Sequence, residues 1–285
     1  YDALVICGYS SPTAVLAMLY LRLHRIPFYM EVDGGLVRET SGAKYRFKKH
    51  LVSSASWWLG TGKHTTDYLV NYGAKREKVY TYPFTSLYES DILPAPVTPE
   101  AKQQLRAELT MPEEKIVLYV GRFTEAKGMD ALLHAAPEID SDTGIYFIGG
   151  EPSQAHLAFC KEKNLTNVHF IGFKKKDELL RYYQAADLLV LPTHSDVWGL
   201  VINEAMACGL PVITTDKCVA GMELIENGVS GYIVPVKQQH PLVEAINKVL
   251  SGDYAGMGAA ALETIRPYSL ENMAKVHMDI FEGVN

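Results

Sequence analysis

The stretch Ala186-Asp187-Leu188-Leu189-Val190-Leu191-Pro192 leads through Asp196-Val197-Trp198-Gly199 into Leu200-Val201-Ile202-Asn203-Glu204-Ala205-Met206-Ala207-Cys208-Gly209. It closes on Leu210-Pro211-Val212-Ile213-Thr214. The apolar run 188–191 is too short for a helix and ends at a proline, which predicts a buried strand. Residues 199–208 predict a helix stopped by Gly209, and 211–214 a second buried strand. Strand, helix and strand within about thirty residues form the repeating unit of a parallel sheet.

The same alternation extends in both directions. Strands are expected at 116–120, 145–148, 168–171 and 232–234, with helices over 127–136, 154–163 and 177–185 between them. Six such runs predict a doubly wound sheet. Helices over 241–250, 254–265 and 270–281 follow. Upstream, strands at 3–7, 27–31, 56–60 and 78–81 alternate with helices over 11–24, 43–52 and 63–72, so the fold class is α/β twice over. Residues 82–98 lack a regular period and contain Pro83, Pro94 and Pro96, which marks a connection. The expected domains are therefore 1–98 and 99–268, with the helix at 269–285 returning to the first.

Composition sets limits on function. The chain has 285 residues, 48% of them apolar and 21% charged, with a net charge of −6. Residues 1–111 carry 13 Lys/Arg against 10 Asp/Glu, and residues 112–285 carry 14 against 23. An acidic second half argues against general nucleic-acid binding. No apolar run reaches the eighteen or so residues of a membrane span, and a cytoplasmic location is expected. Cys7, Cys160, Cys208 and Cys218 lack paired spacing and are expected to be buried, reduced thiols. Tyr1 opens directly into a strand-like run, which predicts a chain that begins within a domain.

Ligands of an open parallel sheet bind at the carboxyl ends of its strands. The expected strands of the second half are followed by Gly121-Arg122 and Lys127-Gly128, by Gly149-Gly150-Glu151, by Gly172-Phe173-Lys174, and by Asp196 through Glu204. Two cations, several glycines and a helix beginning near Gly199 suit a diphosphate. Two ionised carboxylates accept hydrogen bonds, which suits hydroxyl groups. Taken singly, each residue reads as a solvated loop cation or a turn glycine; their meeting on one rim is what points to a ligand. Asp140-Ser141-Asp142 looks like a metal motif but precedes a strand, on the opposite edge. It is read as a surface turn, and no metal or cofactor is expected.

The residues Gly121-Arg122, Lys127-Gly128, Phe170-Ile171-Gly172, Leu180, Tyr183, the run 186–192, the run 196–213 and Gly228-Val229-Ser230-Gly231 together resemble retaining glycosyltransferase family 4. The resemblance covers nearly all of residues 113–265. It implies the GT-B fold: two facing Rossmann-like doubly wound domains, here with the first incomplete. It also implies metal-independent transfer of a hexose-type sugar, with retention, from a nucleoside diphosphate sugar of UDP or GDP type. Arg122 and Lys127 would then hold the diphosphate, Phe173 and Lys174 the base, and Glu204 the ribose. Asp196 would hold the donor sugar, where the family usually has Glu. Gly121, Gly149 and the amides of Gly199, Leu200 and Val201 would line the donor. Asp33, after an expected strand, is the candidate acceptor-side or catalytic residue; the competing reading is a turn-forming Asp-Gly.

Arg38, Lys44, Arg46, Lys48, Lys49 and His50 gather ahead of Trp57-Trp58. They read either as a patch for an anionic membrane, suiting a lipid-linked acceptor at its inner face, or as a solvated helix face with the tryptophans buried. Surface polysaccharide or glycolipid assembly is the setting that the resemblance implies. Two alternatives stay open: a non-catalytic nucleotide-sugar-binding homologue, and a nucleotide-sugar epimerase of the same fold.

Overall fold

In the computed structural model, residues 3–37 and 41–284 are described. They group into two units, Tyr1–Ser86 with Pro267–Asn285, and Leu87–Arg266.

The first unit runs β1 (Val5–Cys7), α1 (Pro12–Leu23), β2 (Tyr29–Glu31), α2 (Gly42–Val52), β3 (Trp57–Gly60), α3 (Lys63–Asn71) and β4 (Val79–Thr81). Its strands are all parallel and lie in sequence order, β1-β2-β3-β4. Successive strand residues face opposite sides, which divides the core in two. Met30 and Trp58 pack with Met18, Leu51 and Leu69 of the three connecting helices. Tyr29 and Leu59 pack with Tyr82 and with Met273, Val276, Ile280 and Phe281 of the last helix, α12 (Leu270–Val284). One tryptophan is thus wholly a core residue: Trp58 is buried and donates to the Val52 carbonyl at 2.9 Å.

The second unit adds α4 (Pro99–Leu109), β5 (Lys115–Val120), α5 (Met129–Ala135), β6 (Thr143–Ile148), α6 (Gln154–Glu162), β7 (Val168–Ile171), α7 (Lys176–Ala185), β8 (Leu188–Leu191), α8 (Leu200–Ala207), β9 (Val212–Thr215), α9 (Val219–Leu224), β10 (Gly231–Val234), α10 (Gln239–Ser251) and α11 (Tyr254–Ile265). Its sheet order is β10-β9-β8-β5-β6-β7, all parallel. The winding reverses between β5 and β8, so this sheet is doubly wound as expected.

Two differences from expectation have clear causes. The boundary falls at Ser86/Leu87 rather than at 98/99, because the intervening segment is bonded to the second unit, for example Leu93 N–H to the Ala207 carbonyl at 2.9 Å. Helix α4 was not anticipated, although Thr98 caps it through the Ala101 amide. It buries no residue completely, so it shows no apolar stripe. It docks instead through charge: Lys102 and Arg106 reach the buried Asp187 carboxylate at 3.0 and 2.6 Å, and Asp187 also accepts from Ile116 N–H. Among the cysteines, Cys208 and Cys218 are buried as expected, whereas Cys160 is half-buried and Cys7 exposed.

Helix α12 is fixed to its sheet by charge as well as by packing. His277 Nε2 lies 3.2 Å from Glu31 Oε1. The His277 bond holds the Glu31 carboxyl below its usual range against the opposing effect of burial, and Glu31 holds His277 above its usual 6.5. The imidazole contribution is therefore complete below about pH 6.5 and is lost as pH rises through the folded-state value. The carboxylate contribution is complete above about pH 4.5 and is lost as pH falls through its own, lower value. His277→Gln is expected to cost about 1 kcal/mol near pH 6, with the gap to the parent protein narrowing above pH 7. Urea unfolding at several pH values checks this; a gap constant from pH 5.5 to 8.5 would contradict it.

Candidate functional site

The loops after β5 and β8 meet where the winding of the second sheet reverses. The Ala126 carbonyl accepts from Thr193 Oγ1 at 2.7 Å and from His194 N–H at 2.9 Å. Gly128 has φ +67°, and a Cβ there would lie 1.9 Å from the Pro192 carbonyl oxygen, so only glycine permits this approach. From beneath, the buried Tyr119 hydroxyl reaches the carbonyls of Arg122 and Lys127 at 3.2 and 3.4 Å. The β8 loop is tied in turn to the segment after β9: Asp196 N–H donates to the Lys217 carbonyl at 2.9 Å, and Cys218 Sγ to the Trp198 carbonyl at 3.1 Å. This stitching brings Lys127 Nζ into a hydrogen-bonded ion pair with Asp196 Oδ2. Arg122, on the same loop as Lys127, is exposed.

Helix α8 opens beside this pair. Gly199 caps it at φ +104°, where a side chain would meet Cys218 Sγ at 2.8 Å. The amides of the first turn, Leu200 and Val201 among them, have no acceptor within the helix. Glu204 follows and accepts the Tyr183 hydroxyl at 2.9 Å. Burial raises the Glu204 carboxyl, and the Tyr183 bond opposes that shift. The fully buried Tyr183 phenol is pushed far up, chiefly by its own burial, so it keeps its proton and donates.

The expected donor residues thus divide by place. Gly121, Arg122, Lys127, Asp196, Gly199, Leu200, Val201 and Glu204 lie on the two loops at the reversal and on the helix that follows. Gly149 lies after β6, and Phe173 and Lys174 after β7. Phe173 is 80% exposed, and Lys174 Nζ is 3.7 Å from Glu178. Gly149, at φ +116°, would place a Cβ 2.7 Å from the Gly121 carbonyl. Gly128 and Gly149 therefore let the protein's own loops close on one another, a use the sequence reading did not foresee. Tyr119 was also missed; a tyrosine one residue before the end of a buried strand needs a polar partner, and that was the available signal.

Asp33 belongs to the first unit, exposed in the bend after β2. The next glycine but one, Gly35, lies against the Tyr68 ring, where a Cβ would be 2.7 Å away. Glu31, not anticipated, accepts from Cys7 Sγ at 3.2 Å. Burial, that bond and the charges of Glu31 and Asp33 push the Cys7 thiol up to about 11. Tyr82 is buried and is raised first by burial and then by the charges of Glu31 and Asp33. A titratable cluster therefore stands at the carboxyl ends of β1 and β2.

Of the basic stretch, Arg38 lies outside the described residues. Lys48 is taken up inside the unit, its Nζ 4.0 and 4.4 Å from the Tyr72 and Tyr68 ring centroids. Lys44, Arg46 and Lys49 are exposed, and His50 is paired with Arg22. Asp140 accepts from Asp142 N–H at 3.2 Å in a turn before β6, at the edge away from the donor-side loops. Among the described residues no helix is long and apolar enough to cross a membrane.

Comparison with known proteins identifies relatives of the chain and of its fold. D-inositol 3-phosphate glycosyltransferase of Mycolicibacterium smegmatis is 32% identical over 182 residues, which cover 60% of this chain and 41% of that protein. The corresponding protein of Xylanimonas cellulosilytica is 23% identical over 261 residues, covering 87% of this chain and 61% of that one. The chain spans about two fifths of the length of the curated relatives it matches most strongly. HepE of Anabaena, solved in complex with UDP, has a TM-score of 0.80 at 19% identity, covering 99% of this chain and 78% of that one. Sucrose-phosphate synthase of Thermosynechococcus elongatus has a TM-score of 0.78 at 24% identity, covering 100% and 74%. These likenesses show the GT-B fold. The profile of the family described as "Glycosyl transferases group 1" matches residues 101–263, more than half of the chain, and the chain belongs to that family.

Proposed function

We propose that the second unit binds a nucleoside diphosphate sugar of UDP or GDP type. The whole protein would then transfer a hexose-type sugar to a glycan or lipid-linked acceptor with retention of configuration, in surface polysaccharide or glycolipid assembly. The observation that carries the reading is the Lys127–Asp196 pair at the reversal of the sheet, with Glu204 on the helix that follows. In that arrangement Arg122 and Lys127 neutralise the diphosphate, and the α8 amides add their partial positive charge. As the bond between sugar C1 and the diphosphate oxygen breaks, negative charge grows beside Lys127; the acceptor hydroxyl oxygen bonds to C1 on the same face, and its proton passes to the departing diphosphate oxygen. Asp196 exchanges Lys127 for the sugar hydroxyls, and Glu204 accepts from the ribose diol. Phe173 and Lys174 meet the base, and Asp33 of the first unit is the acceptor-side candidate. The exposed Lys44, Arg46 and Lys49 are the cations left for an anionic surface near a lipid-linked acceptor.

The roles separate by mutation. Lys127→Ala is expected to weaken nucleoside diphosphate affinity about 10- to 100-fold and to lower turnover of the intact donor. Asp196→Asn is expected to spare the free nucleoside diphosphate and weaken only the donor sugar conjugate. Glu204→Gln should weaken both ligands alike, yet leave the melting temperature unchanged or raised. Its carboxyl is raised in the folded state, so its charged form disfavours folding above the usual 4.5, and the neutral amide removes that cost. Calorimetry with UDP, GDP and their glucose conjugates, together with thermal unfolding, decides this. Equal losses for all three variants with every ligand would show that the residues support the fold instead.

The two cations supply the charge neutralisation that a divalent ion supplies elsewhere. UDP or GDP binding and donor turnover are therefore expected to persist in EDTA. Binding abolished by EDTA and restored by Mg²⁺ or Mn²⁺ would overturn this part of the reading.

A further inference from the structure

The segment just past the unit boundary is fastened beside Glu204 by contacts to which the donor reading gives no role. A single helical turn, Glu89–Asp91, begins at Tyr88, whose N–H donates to Asp91 Oδ2 at 2.8 Å. Asp91, its side chain only 15% exposed, pairs with Lys176 at 2.5 Å. Lys176 is the first residue of α7, directly after the Phe173–Lys174 loop, and its Nζ stands 5.5 Å from the Tyr88 ring centroid. Farther along, Leu93 N–H donates to the carbonyl of Ala207, the last residue of α8. The segment is thus tied to α7, which supplies the Tyr183 hydroxyl to Glu204, and to α8, which carries Glu204 itself. The charges of Lys176 and Asp91 both act on the Glu204 carboxyl.

Despite this fastening, Tyr88 is 55% exposed. A large aromatic ring whose backbone is held by Asp91, with the Asp91-paired Lys176 ammonium near it, yet left largely in solvent, contributes little to packing. It does keep a flat apolar face available at almost no entropic cost on binding, which is what base stacking requires.

We propose that Tyr88 stacks on the base of the nucleoside whose ribose Glu204 holds, with Asp91 and Lys176 as its positioning residues. This rests on the donor reading above. A base has a π-face whatever its identity, so the contact strengthens binding of UDP and GDP alike, while inorganic pyrophosphate gains nothing from it.

The test is calorimetry of the whole chain with UDP, GDP and pyrophosphate. Tyr88→Leu is expected to weaken both nucleoside diphosphates about 10-fold and to leave pyrophosphate unchanged. Tyr88→Phe and Tyr88→Trp should bind as the parent protein does. Lys176→Met should produce a smaller loss of the same selective kind, recovered in Lys176→Arg, whereas a merely structural role would move pyrophosphate as well. If the parent protein prefers UDP and GDP over pyrophosphate and Tyr88→Leu keeps that preference, the stacking role falls and the donor site stands. Equal losses in Tyr88→Leu and Tyr88→Phe would assign the effect to the hydroxyl and overturn stacking. If the parent protein itself shows no preference for nucleoside diphosphates over pyrophosphate, the nucleoside site falls and the role of Tyr88 with it.

Discussion

The contact between Gly128 and Pro192 fixes what the second unit can do. Two loops that leave neighbouring strands in divergent directions are held together there, close enough that no side chain fits between them. The Ala126 carbonyl, bonded to Thr193 and His194, keeps the register of that contact. Lys127 and Asp196 are sixty-nine residues apart and meet only because of it. In the free protein each neutralises the other, so neither is left as an isolated charge although their side chains are only 24% and 14% exposed. The proposed diphosphate sugar would offer both a replacement: anionic oxygens for the lysine and hydroxyls for the aspartate.

Glu204 shows the opposite balance. Its carboxyl is drawn into a site that disfavours its charge, and the Tyr183 hydroxyl only partly compensates. Fold stability alone gives little reason to keep a carboxylate there, whereas the ribose diol proposed for it would add the donors that it lacks. The same logic separates Asp187, whose carboxylate is fully supplied by Lys102, Arg106 and the Ile116 amide. Asp187 is a fastening of the fold, and Glu204 is a group that waits for a partner.

The sheets were legible because short β-branched and leucine-rich runs are periodic at a scale that sequence displays; Leu188–Leu191 and Val168–Ile171 lie where they were expected. The loops that carry Arg122, Lys127 and Asp196 followed from those strands by topology. Helix α4 was not legible, since its half-buried face mixes Leu105 and Leu109 with two cations that reach one distant carboxylate. The glycines were visible, but their partners were not: nothing near Gly128 in sequence names Pro192. Glu31 and His277 were missed for the same reason, their pairing being a contact across 246 residues of sequence. Lys48 looked like a fully solvated cation and is instead half-buried against the Tyr68 and Tyr72 rings.

The most direct test of the account is nucleoside diphosphate binding by Gly128→Ala, measured by calorimetry with UDP and GDP beside thermal unfolding of the same sample. The substitution leaves every charged residue in place and alters only the approach of the two loops. The account predicts cooperative unfolding at a somewhat lower temperature and a loss of affinity of about 10- to 100-fold, since the displaced loop carries Lys127 away from the diphosphate. A folded Gly128→Ala protein that binds UDP and GDP as tightly as the parent would contradict it.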